Sequence, residues 1–157
     1  MFQATVVFDN NYRPRLWPDV QTAQQCFKTF FEVASIGLVT LDDDMALCGE
    51  SNAQSQLPRS LALPCAELVI KRGTLPTLVR VHGQPLQEVA TVPVANVVDT
   101  TAAGDSFAGA YLAERMGGAT PREAAAAGNR LAAVVIQHRG AVIGRKWMPT
   151  PCAVHNP

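Results

Sequence analysis

No excess of charge of either sign marks this chain: 13 Lys and Arg balance 13 Asp and Glu over 157 residues, giving a formal net charge of zero. That balance removes the electrostatic case for a nucleic-acid or membrane-surface partner. No apolar run reaches the length of a membrane span, and the first residues show no basic segment followed by an apolar signal core, so a cytoplasmic location is expected. The four cysteines, Cys26, Cys48, Cys65 and Cys152, are scattered. Without a C-x-x-C pair or a Cys/His cluster at zinc spacing they read as reduced thiols. Common nucleotide signatures are missing as well. There is no G-x-x-x-x-G-K-[ST] loop, no G-x-G-x-x-G after a strand, and no H-R-D or D-F-G set, which argues against P-loop enzymes, dehydrogenases and protein kinases. No internal repeat or low-complexity linker interrupts the chain, which is long enough for one domain and its core.

What is present is an alternation of strand and helix patterns. Thr5-Val6-Val7-Phe8 reads as a short buried strand, and Val20, Ala23, Phe27, Phe30, Phe31 and Ala34 then recur at helical spacing. Ile36-Gly37-Leu38-Val39 is a second strand, followed by a helix opened by Asp42-Asp43-Asp44 and stopped near Gly49. The polar stretch from Glu50 to Pro64 reads as a loop or short irregular helix, and Glu67-Leu68-Val69-Ile70-Lys71 as the third strand. Thr77-Leu78-Val79-Arg80-Val81 turns at His82-Gly83-Gln84-Pro85 and returns through Glu88 to Val92 as an antiparallel hairpin. Thr120-Pro121-Arg122-Glu123 is a capping box that opens a last helix with Ala127, Leu131, Val134 and Val135 on its core face. The tail after Trp147 is expected to fray. Such an order predicts an α/β fold with a mainly parallel sheet.

The segment most charged with chemistry is Asp99-Thr100-Thr101-Ala102-Ala103-Gly104-Asp105-Ser106-Phe107. Val97-Val98 before it reads as the end of a strand, and Ala108-Gly109-Ala110-Tyr111-Leu112-Ala113 after it as a buried helix. Backbone N–H groups at the start of that helix lack intrahelical partners and point outward. A phosphate or a developing oxyanion suits them, and Ala102, Ala103 and Gly104 leave it room to approach. Asp105, in the first turn, is then placed to take a proton from an attacking hydroxyl. The plainer alternative is a strand-to-helix connection with a dipole-matched carboxylate. Ahead of it, Asp9-Asn10-Asn11-Tyr12-Arg13 follows the first strand, so its side chains project beyond a strand's carboxyl end, where open α/β sheets bind ligands. Ordinary turn chemistry before Pro14 is the alternative there.

Asp99-Thr100-x-Ala102-Ala103-Gly104-Asp105-x-Phe107 resembles the D-T-x-G-A-G-D-x-F signature of the ribokinase-like sugar kinases, the phosphofructokinase-B family, and its spelling resembles the 2-keto-3-deoxygluconate kinase branch. Ala102 departs from the pattern, since most members carry glycine there and the extra methyl narrows the anion hole. The resemblance implies a three-layer α/β sandwich with a mainly parallel sheet, ATP and Mg²⁺ as cofactors, and a sugar acid as substrate. Asp105 would be the base, with the Ala102, Ala103 and Gly104 amides around the transferring phosphoryl group. Asp9, Asn11 and Arg13 fall on the D-x-N-x-R motif; the arginine would reach nucleotide phosphate and sugar acid, a task that suits its planar fork. Thr40-Leu41-Asp42-Asp43 stands where the family carries N-x-x-E, with Thr40 and Asp43 substituted. Asp43 is therefore the expected magnesium contact, through water, or else only a negatively charged helix start. Lys71-Arg72-Gly73 resembles the K-x-G turn beside the nucleotide, although Lys71 can also be read as a solvated strand-end charge. Gly73 lets backbone approach a ligand. Asn129 matches a position facing adenine; on an alanine-rich helix it can equally face solvent.

The resemblance runs from Phe8 to about Pro149 and makes residues 1–157 the C-terminal, nucleotide-binding half of such a kinase. The N-terminal half and a small β lid over the sugar are then expected to be absent, with a homo-oligomer or a partner supplying the missing half, and the chain alone inactive. Alternatives are another ribokinase-like kinase such as a fructokinase, a non-catalytic nucleotide-binding module, or a serine hydrolase built on Gly104-Asp105-Ser106. The hydrolase lacks an oriented base, because no aspartate follows Asp105 and His138 and His155 have no supporting context.

Overall fold

The computed structural model describes residues 4–149. In chain order its elements are β1 (Val7–Asp9), α1 (Val20–Val33), β2 (Ile36–Thr40), α2 (Leu41–Cys48), α3 (Ala53–Leu61), β3 (Glu67–Arg72), β4 (Leu75–Val81), β5 (Gln87–Val89), α4 (Ala103–Met116) and α5 (Pro121–Val135). Short 3₁₀ turns cover Pro14–Leu16 and Arg145–Trp147. The strands form one sheet in the order β1-β2-β3-β4-β5. β1, β2 and β3 are parallel, with Phe8 opposite Gly37 and Gly37 opposite Leu68. The chain divides into two compact units, one built on the residues up to Arg72 with Leu78–Leu86, the other on Gly73–Thr77 and the residues from Gln87 onward.

In the first unit, α1 begins because the Asp19 carboxylate accepts the Thr22 N–H at 2.7 Å, which also holds that carboxyl below its ordinary pKa. Ala23, Phe27 and Phe31, each one helical turn apart, form its buried face. Phe8 of β1 meets Phe27 and Phe31 edge to face at 5.3 and 4.8 Å, and Tyr12 and Trp17 close on Phe27 from the other side. Of these, the buried rings of Phe27 and Phe31 each contribute about 1.5–3 kcal/mol by leaving water. β2 and β3 are buried along almost their whole length, as strands flanked on both sides must be. Gly37 is required by close approach: a Cβ there would sit 2.9 Å from Cys65 Sγ and 3.0 Å from Leu68 Cδ1. α2 stops at Gly49, whose φ of 66° is the left-handed geometry glycine favours. α2 and α3 are joined through buried Asp44, which accepts hydrogen bonds from Ser60 Oγ and from Gln56 Nε2.

In the second unit α4 packs along α5. α5 opens with the expected capping box, Thr120 accepting the Glu123 N–H while Glu123 accepts that of Thr120, with Pro121 in the first turn. Its buried face is mostly small: Ala124, Ala125, Ala127, Gly128 and Ala133, with Val135 at the end. The aromatic ring of Phe107 on α4 uses that smallness, since a Cβ on Gly128 would lie 2.6 Å from it.

Several expectations are corrected. β1 is Val7–Asp9 and only half buried, and Thr5 and Val6 are exposed, because an edge strand is covered on one side only. Phe30 is half exposed, at the rim of the cluster, where its ring stacks on Phe8 at 5.1 Å. The stretch from Glu50 to Pro64 contains a regular helix, α3, with Pro58 inside it. Val97 and Val98 are exposed and in no strand; the amides of Val98 and Asp99 turn to the carbonyl of Ile136 instead. The return strand is shorter than expected, Gln87–Val89. α4 buries only Phe107 and Tyr111, and Leu131 and Val134 of α5 are half buried. Cys26, Cys48 and Cys65 are free thiols, whereas Cys152, His155 and most of the tail lie outside the described residues.

The two helical glycines of this second unit separate packing from propensity. Gly128→Ala should destabilise the protein by about 1–3 kcal/mol through overpacking against Phe107. Gly109→Ala, where nothing lies within 4 Å of the added methyl, should stabilise it by roughly 0.5–1 kcal/mol. Equal shifts in urea midpoints for the two variants would show that the Phe107–Gly128 contact is not tight.

Candidate functional site

The first unit gathers polar side chains at the carboxyl ends of its parallel strands. Asn10, only 1% exposed, ends β1 and locks it to the end of β2. Its Oδ1 accepts the Thr40 N–H at 2.8 Å, and its Nδ2 donates to the Thr40 carbonyl at 3.1 Å. Asp9 caps the Asn11 amide at 3.2 Å and accepts from Lys71 Nζ at 2.9 Å. Lys71 is therefore a buried strand-end cation that reaches a carboxylate two strands away. It is not a solvated charge. Asn11 itself is exposed, and its side chain makes no hydrogen bond among the described residues. Arg13 and Asp43, expected from separate motifs, meet: Arg13 Nη1 lies 3.1 Å from both Asp43 oxygens and donates to the Tyr12 carbonyl at 2.8 Å.

In the second unit the turn before α4 is held by Asp99. One oxygen accepts the Thr101 N–H at 2.8 Å, the other the Gly140 N–H at 2.9 Å. The Thr101 side-chain hydroxyl and these two amides, with Arg139 nearby, hold the Asp99 carboxyl down to about 2. Ala102 follows with φ of 60°, the only non-glycine residue at positive φ among those described. A left-handed alanine costs about 1–2 kcal/mol, so the departure from glycine is a strain on the backbone as well as an extra methyl. Ala103 donates back to the Thr100 carbonyl and Ser106 to that of Ala102. Between them the Gly104 and Asp105 amides have no acceptor among the described residues, and the Asp105 carboxylate is exposed in the same turn. That leaves two N–H groups and one base facing outward at a helix start.

Gly73 forms, with Thr74, the two-residue connection between β3 and β4, at φ of 61° with open space around it. Its turn geometry explains the glycine without a ligand. Asn129 is buried, which overturns the solvent-facing alternative; its Oδ1 accepts from Thr77 Oγ1 at 2.9 Å and its Nδ2 donates to the Ala90 carbonyl at 3.0 Å. The amide joins α5 to β4 and the end of β5.

The residues fit a phosphate group, since backbone amides at a helix start are oxyanion donors. For magnesium the fit is narrower. Among the described residues no cluster of three or more His, Cys, Asp or Glu stands close enough to hold a metal. Asp43 offers hard oxygen, but it is engaged by Arg13. Asp9 and Asp99 lie on the two motifs without a role assigned there, and Asn10 lies between motif positions; the structure makes all three positioning groups. The signal for Asn10 was a polar residue directly after a strand, though nothing distinguished it from exposed Asn11.

Comparison with known proteins gives a consistent result. The sequence matches the family described as pfkB family carbohydrate kinase over residues 1–148. It is 44% identical over 146 residues to a 2-dehydro-3-deoxygluconokinase of Escherichia coli (strain K12), covering 92% of this chain and 47% of that protein. The chain thus spans about half the length of the curated relatives it matches. Among solved structures it is similar to aminoimidazole riboside kinase from Salmonella enterica, crystallised with aminoimidazole riboside and an ATP analog (TM-score 0.77, 26% identity, 94% of this chain and 50% of that one). It is also similar to a protein described as a ribokinase II from E. coli in complex with ATP and Mg²⁺ (TM-score 0.72, 25% identity, 87% and 44%). Its architecture is ribokinase-like, and among the described residues no helix is long and apolar enough to cross a membrane.

The Asp99 clamp carries a pH signature. Because its carboxyl is depressed from 3.8 to about 2 in the folded protein, its stabilising contribution is complete above the unfolded value and lost as pH falls from 3.8 toward 2. Wild type should therefore lose more stability over that interval than Asp99→Asn. Parallel acid profiles for the two proteins would contradict the clamp.

Proposed function

Since the chain belongs to the pfkB family of carbohydrate kinases, we propose that it carries the nucleotide-binding half of an ATP-dependent kinase of 2-dehydro-3-deoxygluconate (2-keto-3-deoxygluconate). The observation that carries this reading is the α4 start, where the Gly104 and Asp105 amides face outward beside the Asp105 carboxylate. The identity to the kinases named for that sugar acid supports the substrate.

In this reaction Asp105 removes the proton from the sugar's terminal hydroxyl. The resulting oxygen forms a bond to the γ-phosphorus as the bond to the bridging oxygen of ADP breaks, in line. The helix-start amides stabilise charge that develops on the transferring phosphoryl group. Asp43 is the acidic oxygen that would lie toward a magnesium ion, which when bound would supply charge neutralisation for the phosphates. In the first unit Arg13 binds an oxyanion of nucleotide or sugar acid, with Asn11 and Lys71, the latter held by Asp9, as nucleotide contacts; in the second unit Gly73 and Asn129 are nucleotide contacts by the family resemblance alone. β1, the last strand of the sheet on its side, leaves an edge that favours self-association or pairing with the remaining half.

In a complete enzyme carrying these residues, Asp105→Asn should lower turnover by roughly 10²–10⁴-fold with ATP affinity nearly unchanged, as expected for a group acting in the transition state. Wild-type-like turnover removes Asp105 from the mechanism. The 157-residue chain alone should bind ATP but phosphorylate the sugar acid negligibly, because proximity of the two reactants is lost. A coupled assay showing robust sugar-dependent ADP release from a monomeric chain would contradict that part.

A further inference from the structure

Arg13 and Asp43 stand 30 residues apart in sequence and still meet. The reason lies in Asn10, whose buried amide locks the backbone just before Arg13 to Thr40, the residue that starts α2 and its acidic turn. Asp43 sits on that first turn, so its carboxylate is delivered by a fixed backbone and not by a flexible loop. All three contacts of the Arg13 guanidinium, to the Tyr12 carbonyl and to both Asp43 oxygens, fall on one nitrogen, Nη1. Nη2 and Nε have no acceptor among the described residues, and the side chain is 54% exposed against 22% for Asp43. The guanidinium is thus gripped at one corner while its opposite edge stays open. Two parallel N–H groups on one edge are what a carboxylate or phosphate needs for paired hydrogen bonds.

From this geometry we infer that Asp43 is a positioning residue for Arg13, holding the arginine so that its Nη2/Nε edge receives an oxyanion. The inference rests on the kinase reading for the identity of that oxyanion, a nucleotide phosphate or a sugar carboxylate. A half-exposed pair of this kind adds little to stability. Its effect is to remove in advance the rotamer freedom that a long side chain otherwise loses when ligand binds. It also gives Asp43 a function in this chain that does not depend on a metal.

The test is calorimetric titration of the 157-residue chain with ATP and, separately, with 2-dehydro-3-deoxygluconate, each with Mg²⁺ and with a chelator. Asp43→Ala should weaken whichever ligand the wild type binds through Arg13 by about 2- to 10-fold, equally with and without Mg²⁺, with little change in thermal midpoint. Asp43→Asn, which keeps an acceptor for Nη1, should recover most of the loss. The ligand affected names the source of the oxyanion. Affinity that is unchanged or tighter in Asp43→Ala overturns the inference, as does a loss seen only with Mg²⁺, which assigns Asp43 to the metal. Failure of the wild type to bind either ligand is a different result: it overturns the kinase reading, and this inference with it.

Discussion

A single carboxylate, Asp99, decides how α4 begins. By accepting the amides of Thr101 and Gly140 on separate oxygens it joins two turns and fixes the path of the chain into Ala102. Ala102 must then adopt a left-handed backbone, which its methyl group disfavours. Only from that bend does the helix start so that Ala103 and Ser106 are satisfied by Thr100 and Ala102 while the two amides between them stay open. The strain is tolerated because the clamp and the packed pair α4 and α5 over-determine the turn. The two open amides of this unit are a consequence of backbone geometry more than of any charged side chain.

The first unit solves a different problem. Its parallel strands end in a cluster of Asp9, Lys71, Arg13 and Asp43, which would be costly to bury unpaired. Each charge is matched: Lys71 to Asp9 in the more buried pair, Arg13 to Asp43 in the more exposed one. Asn10 ties the backbones that carry them. The result is a polar surface at the strand ends whose charged members are already oriented, with the outer edge of Arg13 and the side chain of Asn11 left open among the described residues.

Much of this fold was legible because its local signals agreed with each other. The helical spacing of Ala23, Phe27 and Phe31, the stop at Gly49 and the Thr120–Glu123 box are short-range features, and each lies where the residues indicated. α3 was legible only as one alternative, a short irregular helix, because much of its inward face is polar. Gln56 and Ser60 are buried there to serve Asp44, so only Leu57 and Leu61, one turn apart, mark its inward face as apolar, with Pro58 between them. Val97 and Val98 misled in the opposite sense, being β-branched but exposed in an irregular segment. At the candidate site the Asp99-to-Phe107 turn could be read directly, since its amides and carboxylate are neighbours in sequence. The partnerships of Arg13 with Asp43 and of Lys71 with Asp9 could not, because only the parallel pairing of β1, β2 and β3 brings those residues together. Asn129 shows the same limit: its burial depends on Thr77 and Ala90, each about 40 or more residues away.

The central claim is that the start of α4 receives a phosphate group on backbone amides. Amide chemical shifts of the uniformly ¹⁵N-labelled chain, recorded as ATP is added, test it most directly. The account predicts that Gly104 and Asp105 show the largest and saturable shifts in their unit, with Phe107 and residues further along α4 little changed. Saturable ATP binding that leaves the Gly104 and Asp105 amides unmoved would contradict it.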